Sequence, residues 1–416
     1  MHRFARIARW VLVAGLGFLA GWLLVGFLVA HPLTMSRWLA WACAAGFATM
    51  LAIGVLFRRW MIPVAVVLAV ALFVAGYWGM TAQVLATPDL REVPAITRAE
   101  DDPGLGHTAV VYFTHGEPSI YNPIGWINQF NEFDEQGIAF VPTLVRPLFL
   151  YQLRNAYLEV GRSDHHDNHV RMLATLEQAY RDAGDGETRF YLSFLDDEPR
   201  PDAAVVQALN DGANRIILTE VFLTVSNHTA EGEELVEALH IEERFGVEVL
   251  KTGPLWDSDL LRSMFVARAN ENLGNVPKDE VAVLLVGHGQ PDEWDVEWGT
   301  ETEHENAFRY GVLRLLEEDG YNPDLLSLAW MEFKEPRPAE KIEEFIELGA
   351  RRLLFFSAAI SAESIHSQYD IPELVHKAPV PEGFEVINLG AWNDDPLVIA
   401  AIKERIDSQF ADLGGG

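Results

Sequence analysis

The segment VAVLLVGHGQP, residues 281–291, decides the fold. It begins with six apolar residues and ends in a Gly-His-Gly turn, a pattern that predicts a buried strand running into a loop. A second segment, AVVYFTHGEP at residues 109–118, has the same form and the same His-Gly-x-Pro ending. The chain therefore contains two copies of one strand-and-turn unit.

More distant motifs repeat as well, with a constant offset of 137 residues. Glu198-Pro-Arg-Pro201 recurs as Glu335-Pro-Arg-Pro338, and Gly212-Ala213 recurs as Gly349-Ala350. In both copies strands alternate with amphipathic helices, which predicts a parallel sheet covered by helices on both faces. We therefore expect an α/β protein made of two tandem, doubly wound, three-layer halves.

The N-terminal region predicts a membrane domain. Trp10 to Ala30, Trp38 to Phe57 and Trp60 to Met80 contain no charged residue, and each is long enough to cross a bilayer as a helix. Arginines before the first run and between the last two favour a cytoplasmic N-terminus, which puts the body outside the cytoplasm. A cleaved signal peptide is the alternative for the first run, but two further runs follow it.

Charge and cysteine content exclude several classes of protein. The net charge is −30, and the first hundred residues hold eight Lys and Arg but only three Asp and Glu. The acidic body argues against nucleic acid as a partner. Cys43 is the only cysteine, which excludes an internal disulfide and a cysteine zinc site. We expect a membrane region at 1–80, a linker at 81–107, and halves at 108–275 and 276–416.

Histidines follow the predicted strands in both copies. His115 and His228 belong to the first copy, and His288 and His366 to the second. Ligands of parallel α/β sheets bind beyond the carboxyl ends of the strands, so these imidazoles are expected to converge on one cleft. Imidazole and carboxylate together suit a divalent iron, cobalt, nickel or zinc ion. A structural histidine that closes a strand is the simpler alternative for each position.

A separate histidine cluster lies at SDHHDNH, residues 163–169. His165 and His169 are four residues apart and would share one helix face, which is a metal-binding arrangement. A solvated polar helix start is an equally good interpretation. The role of the His165-His166-His169 cluster therefore stays open at this point.

The second copy resembles the class II tetrapyrrole chelatases, in particular the sirohydrochlorin cobalt- and iron-chelatase branch. The resemblance rests on four motifs: LLVGHG at 284–289, WMEFKEP at 330–336, GARRLLF at 349–355, and His366-x-x-x-Asp-Ile-Pro372. The stretch RPLFLYQLRNAYLEVGRS, residues 146–163, is similar to ferrochelatase before its second helix. The turn departs from the family, with Gln290 where a small residue is usual.

The resemblance implies two stacked chelatase-like halves with a tetrapyrrole macrocycle between them. It implies that His288 and His366 hold the metal, with Glu332 and Glu363 as acidic neighbours. We expect His288 to act as base and ligand, and Glu332 or Glu363 to accept a proton. Leu195 occupies the position of Glu332 in the first copy, which makes that copy the weaker candidate.

The predicted function is a membrane-anchored lyase that inserts iron or cobalt into a porphyrin or sirohydrochlorin-type macrocycle. The divalent metal is a substrate, and no organic cofactor is expected. A membrane-tethered protein that binds metal or tetrapyrrole without turnover is the main alternative. A metal-dependent hydrolase is a weaker one, since the sequence has no nucleophile elbow and no His-Glu-x-x-His helix.

Overall fold

Three long apolar helices begin the chain: α1 (His2–Val29), α2 (Pro32–Leu56) and α3 (Ile62–Leu85), with a 3₁₀ turn at Arg59–Met61. All three are long and apolar enough to cross a membrane. The computed structural model describes residues 2–88, 90–135, 137–138 and 141–411. Helix α3 continues five residues beyond the predicted boundary at residue 80, because no glycine or proline interrupts residues 81–85.

Two further helices belong to the same unit as the apolar ones. They are α4 (Ile124–Glu135) and α5 (Arg146–Val160), and the unit comprises Met1–Leu90 together with Ile120–Arg162. Arg154 of α5 is buried and donates to the carbonyl oxygens of Phe27 and Ala30 at 2.6 and 2.9 Å, which satisfies the end of α1. The sequence predicts this stretch within the half 108–275, on its similarity to ferrochelatase.

Helices α1 and α3 pack through glycine. A Cβ atom added to Gly17 would lie 2.6 Å from the Ala69 carbonyl oxygen, and one added to Gly21 would collide with the Phe73 carbonyl oxygen. Gly17 and Gly21 form a GxxxG pair, which lets helix backbones approach closely inside a membrane. The contact requires residues without a side chain at both positions.

We expect Gly21→Leu to weaken this packing strongly. Overpacking a close-packed contact costs about 1–3 kcal/mol, so the detergent-solubilised chain should aggregate at a lower temperature when size-exclusion chromatography follows heating. Gly15→Leu is the matched control, because a Cβ there has no neighbour within 4 Å. Equal loss from both substitutions would show that α1 and α3 do not pack through Gly21.

The second unit comprises Arg91–Ser119 and Ser163–Gly416 and contains two parallel sheets of four strands each. The first sheet consists of β1 (His107–Thr114), β2 (Arg189–Phe194), β3 (Ala213–Glu220) and β4 (Glu248–Lys251). The second consists of β5 (Val281–Gly287), β6 (Leu326–Trp330), β7 (Arg352–Ser357) and β8 (Glu385–Asn388). The strand orders β2-β1-β3-β4 and β6-β5-β7-β8 are equivalent, which confirms the predicted duplication.

Helices cover both faces of each sheet. In the first half they are α6 (His165–Asp182), α7 (Pro201–Asn210), α8 (Asn227–Glu237), α9 (Ile241–Phe245) and α10 (Asp259–Glu271). In the second they are α11 (Trp294–Glu297), α12 (Gly299–Glu318), α13 (Pro338–Glu347), α14 (Ile371–His376) and α15 (Pro396–Ala411). A short π-helix at His366–Asp370 precedes α14, and 3₁₀ turns at Lys278–Glu280 and Pro323–Leu325 precede β5 and β6.

Alternate residues of the central strands face different cores. Val110 and Tyr112 of β1 belong to the same buried cluster as Val283 and Leu285 of β5, together with residues of α6, α10, α12 and α15. The residues between them on each strand face two outer clusters, one with α7 and one with α13. The two sheets therefore share a core, and the carboxyl ends of β1 and β5 each carry a histidine turn.

Candidate functional site

The His288 turn is built by its two glycines. A side chain at Gly287 would collide with the Glu305 carboxylate and lie 2.5 Å from Arg309, so only glycine fits at the end of β5. Gly289 has φ +82° and abuts the Glu332 carbonyl oxygen. The turn holds His288 immediately beyond the strand, as its sequence predicts.

The hydrogen bond made by His288 defines its tautomer. Its Nδ1 lies 2.7 Å from the Gly289 carbonyl oxygen, which only accepts, so Nδ1 carries the proton and Nε2 keeps a lone pair. Burial, aided by nearby His366, lowers the pKa of His288 to about 4. His288 is therefore neutral at physiological pH and able to accept a proton or bind a metal.

His366 lies in the π-helix and has the opposite environment. Its Nδ1 donates to Asp370 at 2.7 Å. Burial alone would lower the pKa of His366, but the hydrogen bond to Asp370 and the carboxylates of Glu117 and Glu332 raise it to about 9. π-Helical turns are frequent at functional sites. A divalent cation that binds here would displace the proton on Nε2.

The two imidazoles share one cleft. The ring centroids of His288 and His366 are 5.4 Å apart, compatible with two ligands to one ion given metal–nitrogen bonds of about 2.0–2.1 Å. Across the described residues, no group of three or more His, Cys, Asp and Glu side chains is arranged to hold a metal. The pair can bind a cation with most of its coordination positions open.

The histidines of the first copy also meet. His115 follows β1, donates from Nδ1 to the Gly116 carbonyl oxygen at 3.0 Å, and lies 4.6 Å from His228 between ring centroids. His115 and His288 both lower the pKa of His228, after the larger effect of burial. All four predicted histidines therefore line one region, although the carboxylates that raise a histidine pKa are concentrated at His366.

The two predicted glutamates have different surroundings. Burial raises the pKa of Glu332, against the effect of nearby His366, and its backbone N–H donates to the His288 carbonyl oxygen at 3.1 Å. Glu363 accepts hydrogen bonds from the Ala391 N–H at 3.0 Å and the Ser367 hydroxyl at 2.5 Å. Glu332 is thus adjacent to both histidines. Glu363 instead connects the loop at Ala391 to Ser367 of the π-helix.

Sequence reasoning missed Glu117. Its carboxylate accepts the Ile365 N–H at 2.9 Å, directly before the π-helix, and burial raises its pKa while His366 and His115 oppose the rise. The residue belongs to the first copy but supports the metal-ligand candidate of the second. The available signal was the repeat itself, since Glu117 occupies the position of Gln290 in the matching His-Gly-x-Pro turn.

Among the described residues, the His165-His166-His169 cluster, whose role the sequence leaves open, forms no metal-binding group. Both nitrogens of His169 are engaged, Nδ1 with the Tyr112 hydroxyl at 2.8 Å and Nε2 with the Ser361 hydroxyl at 3.2 Å. His166 pairs with Asp197 at 2.8 Å. His165 is buried, and after burial and His169 the nearby His115 and His366 also lower its pKa, which places it near the cleft.

Comparison with known proteins adds a family. The CbiX family model matches residues 282–409. No curated protein matches the chain.

Three solved structures are similar in fold. SirB from Bacillus subtilis with Fe3+ has a TM-score of 0.48 at 15% identity over 74% of this chain and 98% of that chain. The sirohydrochlorin chelatase SirB from Bacillus subtilis subspecies spizizenii in complex with cobalt has a TM-score of 0.43 at 11% identity over 74% and 97%. DR2241 from Deinococcus radiodurans, a multi-domain protein with structural similarity to chelatases, has a TM-score of 0.42 at 13% identity over 71% and 54%.

The family match covers the half of the duplicated unit that carries His288, Glu332 and His366. It coincides with the motifs on which the sequence resemblance rests. Residues 282–409 are therefore similar to the CbiX family.

Proposed function

We propose that this protein is a membrane-anchored chelatase that inserts divalent iron or cobalt into a sirohydrochlorin-type or porphyrin macrocycle. The observation that carries the proposal is the His288–His366 pair, which lies at the strand ends of the region that the CbiX family model matches. Metal insertion consumes a divalent cation and a macrocycle and releases two protons. The site therefore needs groups that hold a cation loosely and groups that accept protons.

The two histidines meet the first need. Each has its Nδ1 proton committed, to Gly289 in one case and to Asp370 in the other, so Nε2 is the nitrogen left for a cation, which would displace the Nε2 proton of His366. Two imidazoles without a third protein ligand would bind the cation weakly and leave positions for the macrocycle nitrogens. This suits an ion that must be released.

Proton acceptors within the pair and next to it meet the second need. His288 has a pKa lowered to about 4 by burial, so it is unprotonated and ready to accept one pyrrole proton once the cation has moved on. Glu332 is adjacent and is the candidate acceptor of the other proton. Glu363 is proposed to position the π-helix instead, because both of its oxygens accept hydrogen bonds from the surrounding loops.

A binder without turnover is the alternative. The altered Gly289-Gln290-Pro291 turn and the predicted outward orientation favour it, and the presence of both His288 and His366 opposes it. The Gln290 amide donates to Asp295 at 2.7 Å and to the Trp298 carbonyl oxygen at 2.8 Å. Gln290 thus ties the turn to residues 295 and 298, which gives the altered residue a structural role.

Turnover distinguishes the two functions. The full-length chain in lipid nanodiscs is mixed with excess Co²⁺ or Fe²⁺ and an excess of sirohydrochlorin or a porphyrin, and macrocycle absorbance is followed. A chelatase converts many equivalents of one macrocycle per protein, above the rate without protein. A binder stops at one equivalent, and that result would contradict the proposal.

Membrane anchoring is proposed on the three apolar helices. The arginine distribution supports an orientation with the N-terminus in the cytoplasm and the α/β unit on the opposite side. A bilayer anchor would keep the site close to macrocycles that partition into lipid.

A further inference from the structure

Helix α5 and the two residues before it have an inverted polarity. Arg146 and Arg154 are 3% and 1% exposed, whereas Leu144, Val145 and Leu148 are 42%, 44% and 46% exposed. In water the opposite arrangement is expected, because charged groups keep their hydration and apolar groups avoid it. A protein surface that contacts lipid has the reverse requirement.

The two buried arginines have their partners inside the unit, although Nε of Arg154 has none. Arg146 donates to Asp134 at 2.7 Å and to the Val141 carbonyl oxygen at 3.0 Å, with its guanidinium over the Phe130 ring. Arg154 caps the end of α1 and lies over the rings of Phe27 and Tyr151. These contacts hold helix α5 in one orientation. The exposure of its leucines is therefore a property of the folded unit.

Contacts to the apolar helices give the depth of the exposed turn. The Tyr77 hydroxyl donates to the Leu144 carbonyl oxygen at 3.0 Å. Tyr77 lies three residues before the last residue of the apolar run, Met80, which is about 5 Å along a helix. Tyrosine near the end of an apolar helix is typical of the membrane interface. Because the candidate span Arg59–Leu85 continues beyond Tyr77, Leu144 lies level with the C-terminal part of that span.

The exposed face changes character along the helix. Leu148 is followed on the same face by Gln152, which is exposed, and further on by Glu159. Leu158 near the other end is exposed as well, but it is a single residue, so the three-residue apolar patch lies only at the end of α5 that touches Tyr77. This gradient is expected of a helix that enters the bilayer surface at one end and leaves it at the other.

We propose that Leu144, Val145 and Leu148 insert into the lipid interface, so that residues 144–148 form a fourth membrane contact beside the three spans. The partner is the boundary between lipid headgroups and acyl chains. The contact would fix the orientation of α5, and with it the loop that returns to the α/β unit at residue 163, relative to the bilayer surface. The inference is independent of the proposed catalytic activity.

Site-directed fluorescence tests the insertion. Cys43 is the only cysteine, so Cys43→Ser gives a clean background for Leu148→Cys or Gln152→Cys labelled with an NBD dye. The full chain is reconstituted in phosphatidylcholine–phosphatidylglycerol vesicles. We expect NBD at residue 148 to emit at shorter wavelength and to be quenched by doxyl-labelled lipid, and NBD at residue 152 to be quenched by aqueous iodide.

Two references calibrate the result. Val67→Cys on α3, where the valine is 68% exposed, gives the signal for a span. Leu348→Cys, directly after α13, where the leucine is 51% exposed, gives the signal for the α/β unit. Circular dichroism of each labelled protein shows that it remains folded. Iodide quenching at residue 148 equal to that at residues 152 and 348 would overturn the proposal. A surface that binds a protein partner would be exposed to water in these vesicles, which contain no partner, and would give that result.

Discussion

His288→Ala is expected to abolish metal insertion by the full-length protein while leaving the fold intact. His288 is the neutral member of the pair, and it supplies both a ligand nitrogen and a proton acceptor. Loss of a positioned general base alone costs about 10²–10⁴ in rate, so the initial rate of macrocycle metalation should fall by at least about 100-fold. Alanine is small enough for a turn between two glycines, so the thermal unfolding midpoint should change little.

His115→Ala is the matched control for that experiment. His115 occupies the equivalent strand end and makes the equivalent hydrogen bond to its own glycine, but Leu195 stands where the second copy has Glu332. We expect the initial rate of metalation to fall less than about tenfold, because His115 is a neighbour of the metal site and not a metal ligand. Equal losses of activity from both substitutions, or full activity of His288→Ala, would show that the metal site does not lie in the second copy.

Asp370→Asn has the second largest expected effect. Asp370 accepts the Nδ1 proton of His366 at 2.7 Å, and this carboxylate–imidazole pair orients the ring so that Nε2 is the free nitrogen. Loss of such a partner typically costs about 10–100-fold in metal affinity or activity. We therefore expect the apparent KM for Co²⁺ to rise by that factor.

Glu373→Gln provides the comparison for Asp370→Asn. It removes one negative charge from the adjacent α14, where Glu373 is exposed. A change limited to the net charge of the region would affect both variants alike. Such an outcome would mean that Asp370 attracts cations in general and does not orient His366.

The repeated motifs predicted the α/β architecture because each one encodes a local structure. The apolar run 281–286 followed by Gly287 and Gly289 specifies a strand and a tight turn without help from distant residues. The same logic applied to residues 109–116. The constant offset of 137 residues then implied that the two sheets have equivalent strand order, as they do.

Contacts between distant segments were not predictable in the same way. Glu117 and Ile365 are far apart in the chain, and only the packing of the two halves brings the carboxylate to the π-helix. The hydrogen bonds that occupy His169 also come from distant segments. Tyr112 lies on β1, and Ser361 follows β7. A spacing of four residues identifies a shared helix face but not which partners already occupy it.

The place of helix α5 depends on contacts between distant segments. The sequence predicts a half at 108–275 that includes residues 146–163, which are similar to ferrochelatase. In the structure the two buried arginines of this helix bind Asp134 and the carbonyl end of α1, so the helix belongs to the unit of the apolar helices. A local motif does not encode these partners.

X-ray absorption at the cobalt edge tests the central claim most directly, namely that His288 and His366 hold the substrate metal. The full-length protein is loaded with one equivalent of Co²⁺ in the absence of macrocycle. The account predicts the multiple-scattering signature of two imidazole ligands in the wild-type protein, and a spectrum without imidazole scattering for His288→Ala/His366→Ala. An unchanged imidazole signature in that double variant would contradict the account, because the cation would then be held elsewhere.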